Sequence, residues 1–249
     1  KLGAPIILRD SSRLGAFSAS LEQHVPSVVE GYSSSESLDF ARDKLRESRR
    51  IKDITVADIR KTIAIIDPRM PAKAKIMLKK MGYYVVESPL HPKLAKPVKG
   101  HPDMMLFFYG KKVIYEPHLE KHAGGGRDLP LLLKDNGYEC IKGESIKSKE
   151  YPNDIIYDAA AIGKSIIRYD ARIEKNIENL KAKFIKVKQG YVKCSIAQVD
   201  DKSIITSDSG IYHKWSVGNR HACSLHIRPG HIKLPGYKTG FIGGASGMH

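Results

Sequence analysis

The stretch Leu78-Lys-Lys-Met-Gly-Tyr-Tyr-Val-Val86 returns 55 residues later as Leu133-Lys-Asp-Asn-Gly-Tyr-Glu-Cys-Ile141. Each copy has the pattern of a helix end, a Gly-Tyr pair and a strand, because Gly suits the left-handed residue that follows a last helical turn. Upstream, the apolar run Ile63–Ile66 stops at Asp67-Pro68, an N-cap residue followed by Pro at the first helical position. The first copy therefore predicts a helix from Pro68 to Met81, and Tyr83 to Glu87 as the strand after it.

Two further matches extend the repeat. His101-Pro-Asp103 corresponds to Tyr151-Pro-Asn153, and Asp67-Pro-Arg-Met70 corresponds to Asp170-Ala-Arg-Ile173. Together these matches predict a repeat of about 50 residues, with one helix and three strands per unit. Four or five units must pack together, because a single unit cannot close a hydrophobic core alone. The remaining predicted elements are a hairpin of Met104–Tyr109 and Lys112–Glu116, a helix from Asp170 to Leu180, and strands Phe184–Lys188, Tyr191–Val199 and Ser203–Ser207.

Composition describes a globular chain of 249 residues, with 41% hydrophobic and 28% charged residues. Residues 1–57 form a basic N-terminal segment of unknown role, in which Ser37–Ile51 has the pattern of a basic helix, and residues 58–249 form an α/β domain. Lys and Arg total 42 against 27 Asp and Glu, a net charge of +15, so RNA and other polyanions are admissible partners.

Cysteine usage and hydropathy indicate the cellular compartment in which the protein is expected. Cys140, Cys194 and Cys223 are few, odd in number and lack a CxxC pair, which argues against a disulfide framework and a structural zinc site. No stretch approaches the roughly 18 consecutive apolar residues of a membrane span. We expect a reducing, cytoplasmic location, no membrane association and no cofactor.

The segment most suggestive of chemistry is His101-Pro-Asp103-Met104, at the start of a predicted strand. Residues i and i+2 of a strand face the same way, so His101 and Asp103 can address one pocket, the imidazole as general acid/base and the carboxylate as its orienter or as the acceptor of a cation. The competing interpretation is an ordinary turn before a strand.

Gly100-His-Pro-Asp-Met104 resembles the Gly-His-x-Asp-Met segment of agmatine deiminases, which belong to the guanidine-modifying enzyme superfamily. That resemblance implies the penton fold, a five-bladed α/β-propeller of units of about 50 residues, either complete or incomplete here. A closer similarity is to an uncharacterised, mostly clostridial branch of this fold that carries only a domain-of-unknown-function label. Its motifs are Gly100–Asp103, Tyr151–Asp154, Val187–Ser195, Ile204–Asp208, Pro229–Gly236 and Gly240–Gly247.

The resemblance implies residue roles only in part. It makes His101 the general acid/base and Asp103 the carboxylate for a guanidinium, which a carboxylate can bind through two hydrogen bonds. We also predict Asp67, at a strand end, and Lys193 and His231, within the shared motifs, as substrate-binding residues, although Asp67 has the alternative role of a helix N-cap. The superfamily's nucleophilic Cys lies in the last blade after a glycine-rich turn, and this sequence has no Cys after Gly240–Gly247.

Cys194 is the weak alternative nucleophile. We expect it to be a buried residue of strand Tyr191–Val199 with no neighbour that could act as its base, so that Cys194→Ser leaves activity in place. A metal site at His221, Cys223 and His226 would lack a fourth ligand, so no metal is expected. The glycine runs Gly124–Gly126 and Gly240–Gly247 fit tight turns better than phosphate-binding loops.

Two functions remain open at this point. The first is a deiminase- or amidinohydrolase-like pocket for a guanidinium or related small cation, hydrolysing a C–N bond. The second is a non-catalytic basic penton that binds an anionic partner such as ribosomal RNA, through the seven basic residues of Arg172–Lys193.

Overall fold

The computed structural model describes residues 6–8, 62–120, 128–218, 222–234 and 238–246. The chain divides into two compact units, residues 10–61 and the remainder, in which residues 1–9 group with 62–249. The predicted basic helix Ser37–Ile51, the glycine run Gly124–Gly126 and His221 lie outside the described residues.

The described part is a mixed α/β structure of four three-stranded sheets and four α-helices. In every sheet the first two strands are antiparallel and the second and third are parallel. The strands are β1 Ile6–Leu8, β2 Ile63–Ile66, β3 Tyr84–Glu87; β4 Leu106–Tyr109, β5 Lys112–Tyr115, β6 Glu139–Lys142; β7 Ala160–Ile162, β8 Ser165–Tyr169, β9 Lys183–Val187; β10 Ile196–Gln198, β11 Ser203–Thr206, β12 Cys223–His226.

A helix lies between the second and third strand of each sheet, where a parallel pair needs a crossover connection. These helices are α1 Ala72–Lys80, α2 Leu129–Asp135, α3 Lys175–Glu178 and α4 Ser209–Gly218. The predicted unit of one helix and three strands therefore occurs four times in the described part.

The glycines that end the first two helices behave as the sequence predicts. Gly82 and Gly137 have φ of 88° and 81°, a conformation that costs glycine nothing and other residues much more. Strands β3 and β6 begin within two residues of them. The boundaries derived from the Gly-Tyr repeat are confirmed.

Two predicted helix starts are wrong. Helix α1 begins at Ala72 with Pro71 as its N-cap, because Pro71 is extended at ψ 137°, and the Asp67 carboxylate instead binds Arg69. Helix α3 begins at Lys175, where Glu174 caps it by accepting the Ile177 N–H at 3.0 Å. Asp170 lies further upstream and pairs with Lys188.

Strand β10 is shorter than the predicted Tyr191–Val199. Residues 192–195 form a turn, closed by the backbone N–H and hydroxyl of Ser195, which both donate to the Tyr191 carbonyl at 3.0 and 2.6 Å. Cys194 therefore lies in a turn before the strand rather than in the strand, which changes what its thiol faces.

The core joins neighbouring sheets. The largest cluster takes buried side chains from the first three sheets, including Ile65, Ile114 and Ile166, and a second cluster takes Ile167 and Ile204 from the third and fourth. The individual sheets are too small to bury a core alone, so each depends on its neighbours. Within the described residues no helix has the length and apolarity needed to cross a membrane.

Candidate functional site

Three loops that each enter the first strand of a sheet bring polar side chains together. His101 and Asp103 precede β4, Asp158 precedes β7, and Cys194 precedes β10. Asp158 and Cys194 occupy the same place in their units, two residues before the strand. Equivalent positions in successive units thus supply one cluster, which we call the strand-entry cluster: His101, Asp103, Asp158 and Cys194.

His101 and Asp103 are close together, although not by strand alternation. His101 is extended and caps a 3-10 turn, Pro102–Met104, so both side chains leave the same short turn. The His101 Nδ1 and Asp103 Oδ2 atoms are 3.7 Å apart, just beyond hydrogen-bond distance. Both residues are almost fully buried, at 6% and 4% exposure.

Cys194 completes this arrangement. Its Sγ, a ring nitrogen of His101 and a carboxylate oxygen of Asp103 all lie within 4.8 Å of one another. The loop that carries Cys194 is fixed by Asp158, whose Oδ1 accepts the backbone N–H groups of Lys193 at 2.5 Å and Cys194 at 3.3 Å. The Asp158 carboxyl also lies close enough to the thiol to raise its pKa.

Two buried polar atoms of the cluster, His101 Nδ1 and Asp158 Oδ2, have no hydrogen-bond partner among the described residues. An unpaired polar atom in a protein interior costs free energy comparable to a lost hydrogen bond. Their presence in one cluster with a thiol and a second carboxylate is the expected signature of a ligand site.

Burial sets the protonation of the cluster. It raises the pKa of Asp158 to about 7, with the Asp103 charge adding to the effect. It lowers the pKa of His101, against the pull of the Asp103 and Asp67 charges, and raises the pKa of the Cys194 thiol well above its ordinary value, helped by Asp158. The ligand-free site therefore holds a neutral imidazole and a thiol at neutral pH.

The glycine-rich C-terminal stretch covers the cluster. Residues Gly243–Ala245 form a 3-10 turn, and the Gly244 N–H donates to the Cys194 carbonyl at 3.0 Å. A Cβ on Gly244 would lie 3.3 Å from His101 Nε2, and a Cβ on Gly243 would collide with backbone carbonyls of the Cys194 loop. The tight turn expected from the sequence is present, and it holds Cys194 against His101.

The predicted substrate-binding residues fall in three different places. Asp67 is fully buried and its carboxylate is held by Arg69, with Nη2–Oδ2 at 2.6 Å, while its charge reaches His101. Lys193 is half-buried beside the cluster, and its charge acts on both His101 and Cys194. His231 is exposed.

Sequence reasoning missed Asp158 and misjudged the surroundings of Cys194. The expectation that nothing beside Cys194 could act as its base is wrong, because the turn at residues 192–195 points the thiol at Asp158 and His101. The signal that could have found both is their shared offset from the first strand of a unit, which needs correct strand starts. Cys140 is half-buried in β6, and Cys223 is exposed in β12.

The cluster offers two kinds of chemistry. A thiol with a neighbouring acid/base pair is suited to nucleophilic attack, with the second carboxylate available to bind a cationic substrate. The nitrogen, oxygen and sulfur atoms of His101, Asp103 and Cys194 are also close enough to coordinate one metal ion.

In a comparison with protein families, residues 65–249 match the model described as a family of unknown function, DUF6873. No curated protein and no solved structure matches the chain. The matched region contains the whole strand-entry cluster.

Proposed function

The chain belongs to the DUF6873 family, and we propose that it is a cysteine-dependent hydrolase of C–N bonds in small amidines or guanidines. The observation that carries the proposal is the convergence of the Cys194 thiol, the His101 imidazole and the Asp103 carboxylate within 4.8 Å. These are the nucleophile, the acid/base and the cation receptor that the reaction requires.

The proposal includes the fold. Three of the four similar units have a site residue before the first strand, which favours a radial arrangement in which those strand entries meet at the centre. We propose a penton-type α/β-propeller related to the guanidine-modifying enzymes. An experimental structure of the full chain should relate successive sheets by rotations of about 72° around the cluster. Sheets related by translation would refute the arrangement.

The buried acids favour a cationic substrate. Asp103 and Asp158 are both nearly inaccessible to solvent, and Asp158 Oδ2 accepts no hydrogen bond from any residue that the structure describes. A planar amidinium or guanidinium supplies several N–H donors in one plane and a positive charge, so it can bind both carboxylates at once.

The mechanism follows from the positions of the groups. The bound cation presents its central carbon to Cys194, whose thiol gives its proton to the neutral His101 imidazole as sulfur bonds to that carbon. The His101 imidazolium then gives this proton to the departing nitrogen as the C–N bond breaks. His101 next takes a proton from water as the water oxygen bonds to the carbon, and it returns that proton to sulfur as the C–S bond breaks. The products are ammonia or an amine and the corresponding ureido or amide compound.

The test is turnover of arginine, agmatine and acetamidine by the full chain, treated with a chelator, with ammonia and ureido product measured together. Cys194→Ala should lower kcat/KM by at least about a thousandfold, and Asp103→Asn by about 10- to 100-fold through the lost charged hydrogen bond. Cys223→Ser, at an exposed cysteine, is the matched control and should not change the rate. No turnover by the wild-type chain, or full activity in Cys194→Ala, would refute the proposal.

A second candidate function is binding of single-stranded RNA. A groove of about 1390 Å³ near β9 is lined by aromatic, basic and acidic residues, among them Tyr151, Phe184, Tyr191, Lys186, Lys214, Asp170 and Asp208. Aromatic rings beside lysines are the usual platform for unpaired bases and their phosphates. Binding of a labelled oligoribonucleotide should weaken steeply with salt and be lost in a Lys186→Glu, Lys214→Glu double variant; unchanged binding would exclude the groove.

A further inference from the structure

Three members of the strand-entry cluster supply a nitrogen, an oxygen and a sulfur atom, and the hydrolase proposal makes no use of this combination of possible metal ligands. We propose that His101, Asp103 and Cys194 bind one thiophilic divalent cation of the Zn²⁺ type, and that the metal-bound protein cannot take a guanidine or amidine. The cation site uses the same side chains as the proposed hydrolase but does not depend on its chemistry.

The spacing of the three groups suits such an ion. In a tetrahedral zinc site with bonds of about 2.0 to 2.3 Å, ligand atoms are about 3.3 to 3.8 Å apart. His101 Nδ1 and Asp103 Oδ2 are 3.7 Å apart, and all three ligand atoms lie within 4.8 Å of one another. Small side-chain rotations would close the remaining gap to sulfur.

His101 gives the independent indication of a ligand. His101 is 6% exposed, and in the part of the chain that the structure describes its Nδ1 has no hydrogen-bond partner, although Asp103 Oδ2 is 3.7 Å away. Coordination to a metal would satisfy this nitrogen lone pair. Gly244 is near the other ring nitrogen, since a Cβ added to Gly244 would lie 3.3 Å from Nε2.

The ligand set selects among cations. Ca²⁺ and Mg²⁺ prefer six or more oxygen ligands, so a thiolate and an imidazole exclude them. A thiolate and one carboxylate neutralise the two charges of a Zn²⁺ ion, and three protein ligands leave a fourth position open.

The surroundings support the ligands. Asp158 accepts the backbone N–H groups of Lys193 and Cys194, and the Gly244 N–H donates to the Cys194 carbonyl. The loop that carries the sulfur is thus held from two sides, as outer hydrogen bonds commonly hold metal ligands.

A metal ion and a substrate cannot bind at the same time, because both need the Cys194 thiol and the Asp103 carboxylate. A coordinated Cys194 cannot attack carbon, and a coordinated Asp103 cannot bind an amidinium. The metal would therefore act as a competitive inhibitor of the reaction proposed above.

The test is titration of the full chain, free of metal and of any histidine tag, with Zn²⁺ by calorimetry and with Co²⁺ by absorption spectroscopy. We expect one ion per chain, a near-ultraviolet charge-transfer band from the cobalt–thiolate bond, and visible bands of a tetrahedral site. Cys194→Ser should abolish the charge-transfer band, and His101→Ala and Asp103→Asn should each weaken Zn²⁺ binding at least tenfold.

Cys223→Ser and His226→Ala, both at exposed positions of β12, are the matched controls and should bind as the wild type does. Circular dichroism and thermal unfolding identify any variant that fails to fold; for such a variant, protection of the wild-type Cys194 from alkylation by one equivalent of Zn²⁺ provides the same information. An unchanged cobalt spectrum in Cys194→Ser, or no protection, would overturn the proposal.

The metal-site proposal and the hydrolase proposal can be refuted independently of each other. Zinc binding with no turnover by the metal-free chain would leave the metal site in place and refute the proposed function. Turnover without zinc binding would do the opposite.

Discussion

Gly243→Ala tests whether the C-terminal glycine turn holds the nucleophile loop. A Cβ on residue 243 would lie 2.8 Å from the Cys194 carbonyl oxygen and closer still to those of Lys193 and Ile196. All three obstacles are backbone atoms, which cannot rotate away as a side-chain end can. The turn must therefore move off the loop.

The structure sets the size of the effect. Forcing one extra carbon into a packed contact costs about 1–3 kcal/mol, which lowers the melting temperature of a domain of this size by about 2 to 10 °C. The Gly244 N–H bond to the Cys194 carbonyl should break as well, so the Cys194 side chain, 3% exposed in the wild type, becomes accessible.

The assay is thermal unfolding together with alkylation by iodoacetamide, with each cysteine followed by mass spectrometry. We expect Cys194 to react at least tenfold faster in Gly243→Ala, while the exposed Cys223 reacts as before. Gly244→Ala is the matched control, because its nearest obstacle is the end of a side chain, His101 Nε2 at 3.3 Å. Equal melting temperatures and equal Cys194 labelling in Gly243→Ala and wild type would refute the reasoning.

Three other features of the structure give measurable expectations. Arg69→Ala leaves the buried Asp67 carboxylate without its partner and should lower the free energy of unfolding by about 3 kcal/mol in urea titration. Burial alone would raise the pKa of Glu116, but hydrogen bonds from a buried histidine and from backbone N–H groups hold this pKa below 4.5. The ionised carboxylate therefore stabilises the fold above pH 4.5, and this stabilisation is lost as the pH falls further. Glu116→Gln should therefore flatten the loss of stability measured below that pH. Burial raises the pKa of Cys140 to about 11, so at pH 8 mass spectrometry should find it alkylated more slowly than Cys223.

Local sequence rules predicted the elements whose ends depend on backbone conformation. Gly82 and Gly137 mark helix ends because few other residues adopt a positive φ, and Gly110 does the same for the turn between β4 and β5. These positions could be assigned from the sequence because the cause lies in the residue itself.

The failures occurred where a side-chain contact decides the local structure. Asp67 has the sequence of an N-cap, but the side chain of Arg69 occupies its carboxylate. Residues 191–195 have the apolar pattern of a strand, but they form a turn, in which the Asp158 carboxylate accepts the Lys193 N–H and the Ser195 hydroxyl donates to the Tyr191 carbonyl. No window of sequence around Cys194 contains the residue that fixes its loop.

The sequence alone could bring together only two of the four members of the strand-entry cluster. His101 and Asp103 are two residues apart in one motif, so their proximity follows from the sequence. Asp158 and Cys194 join them only through the packing of three separate units, and the sequence places them 55 and 91 residues after Asp103.

The central claim is that Cys194 is a nucleophile in a site for small planar cations, and chloroacetamidine tests it most directly. This reagent carries an alkylating carbon on an amidinium, and chloroacetamide is its neutral counterpart. Labelling of Cys194 relative to Cys223 within the same molecule removes the difference in intrinsic reactivity. The account predicts that the ratio is at least tenfold higher with the amidine and that agmatine lowers it. An equal ratio for the two reagents, unaffected by agmatine, would contradict it.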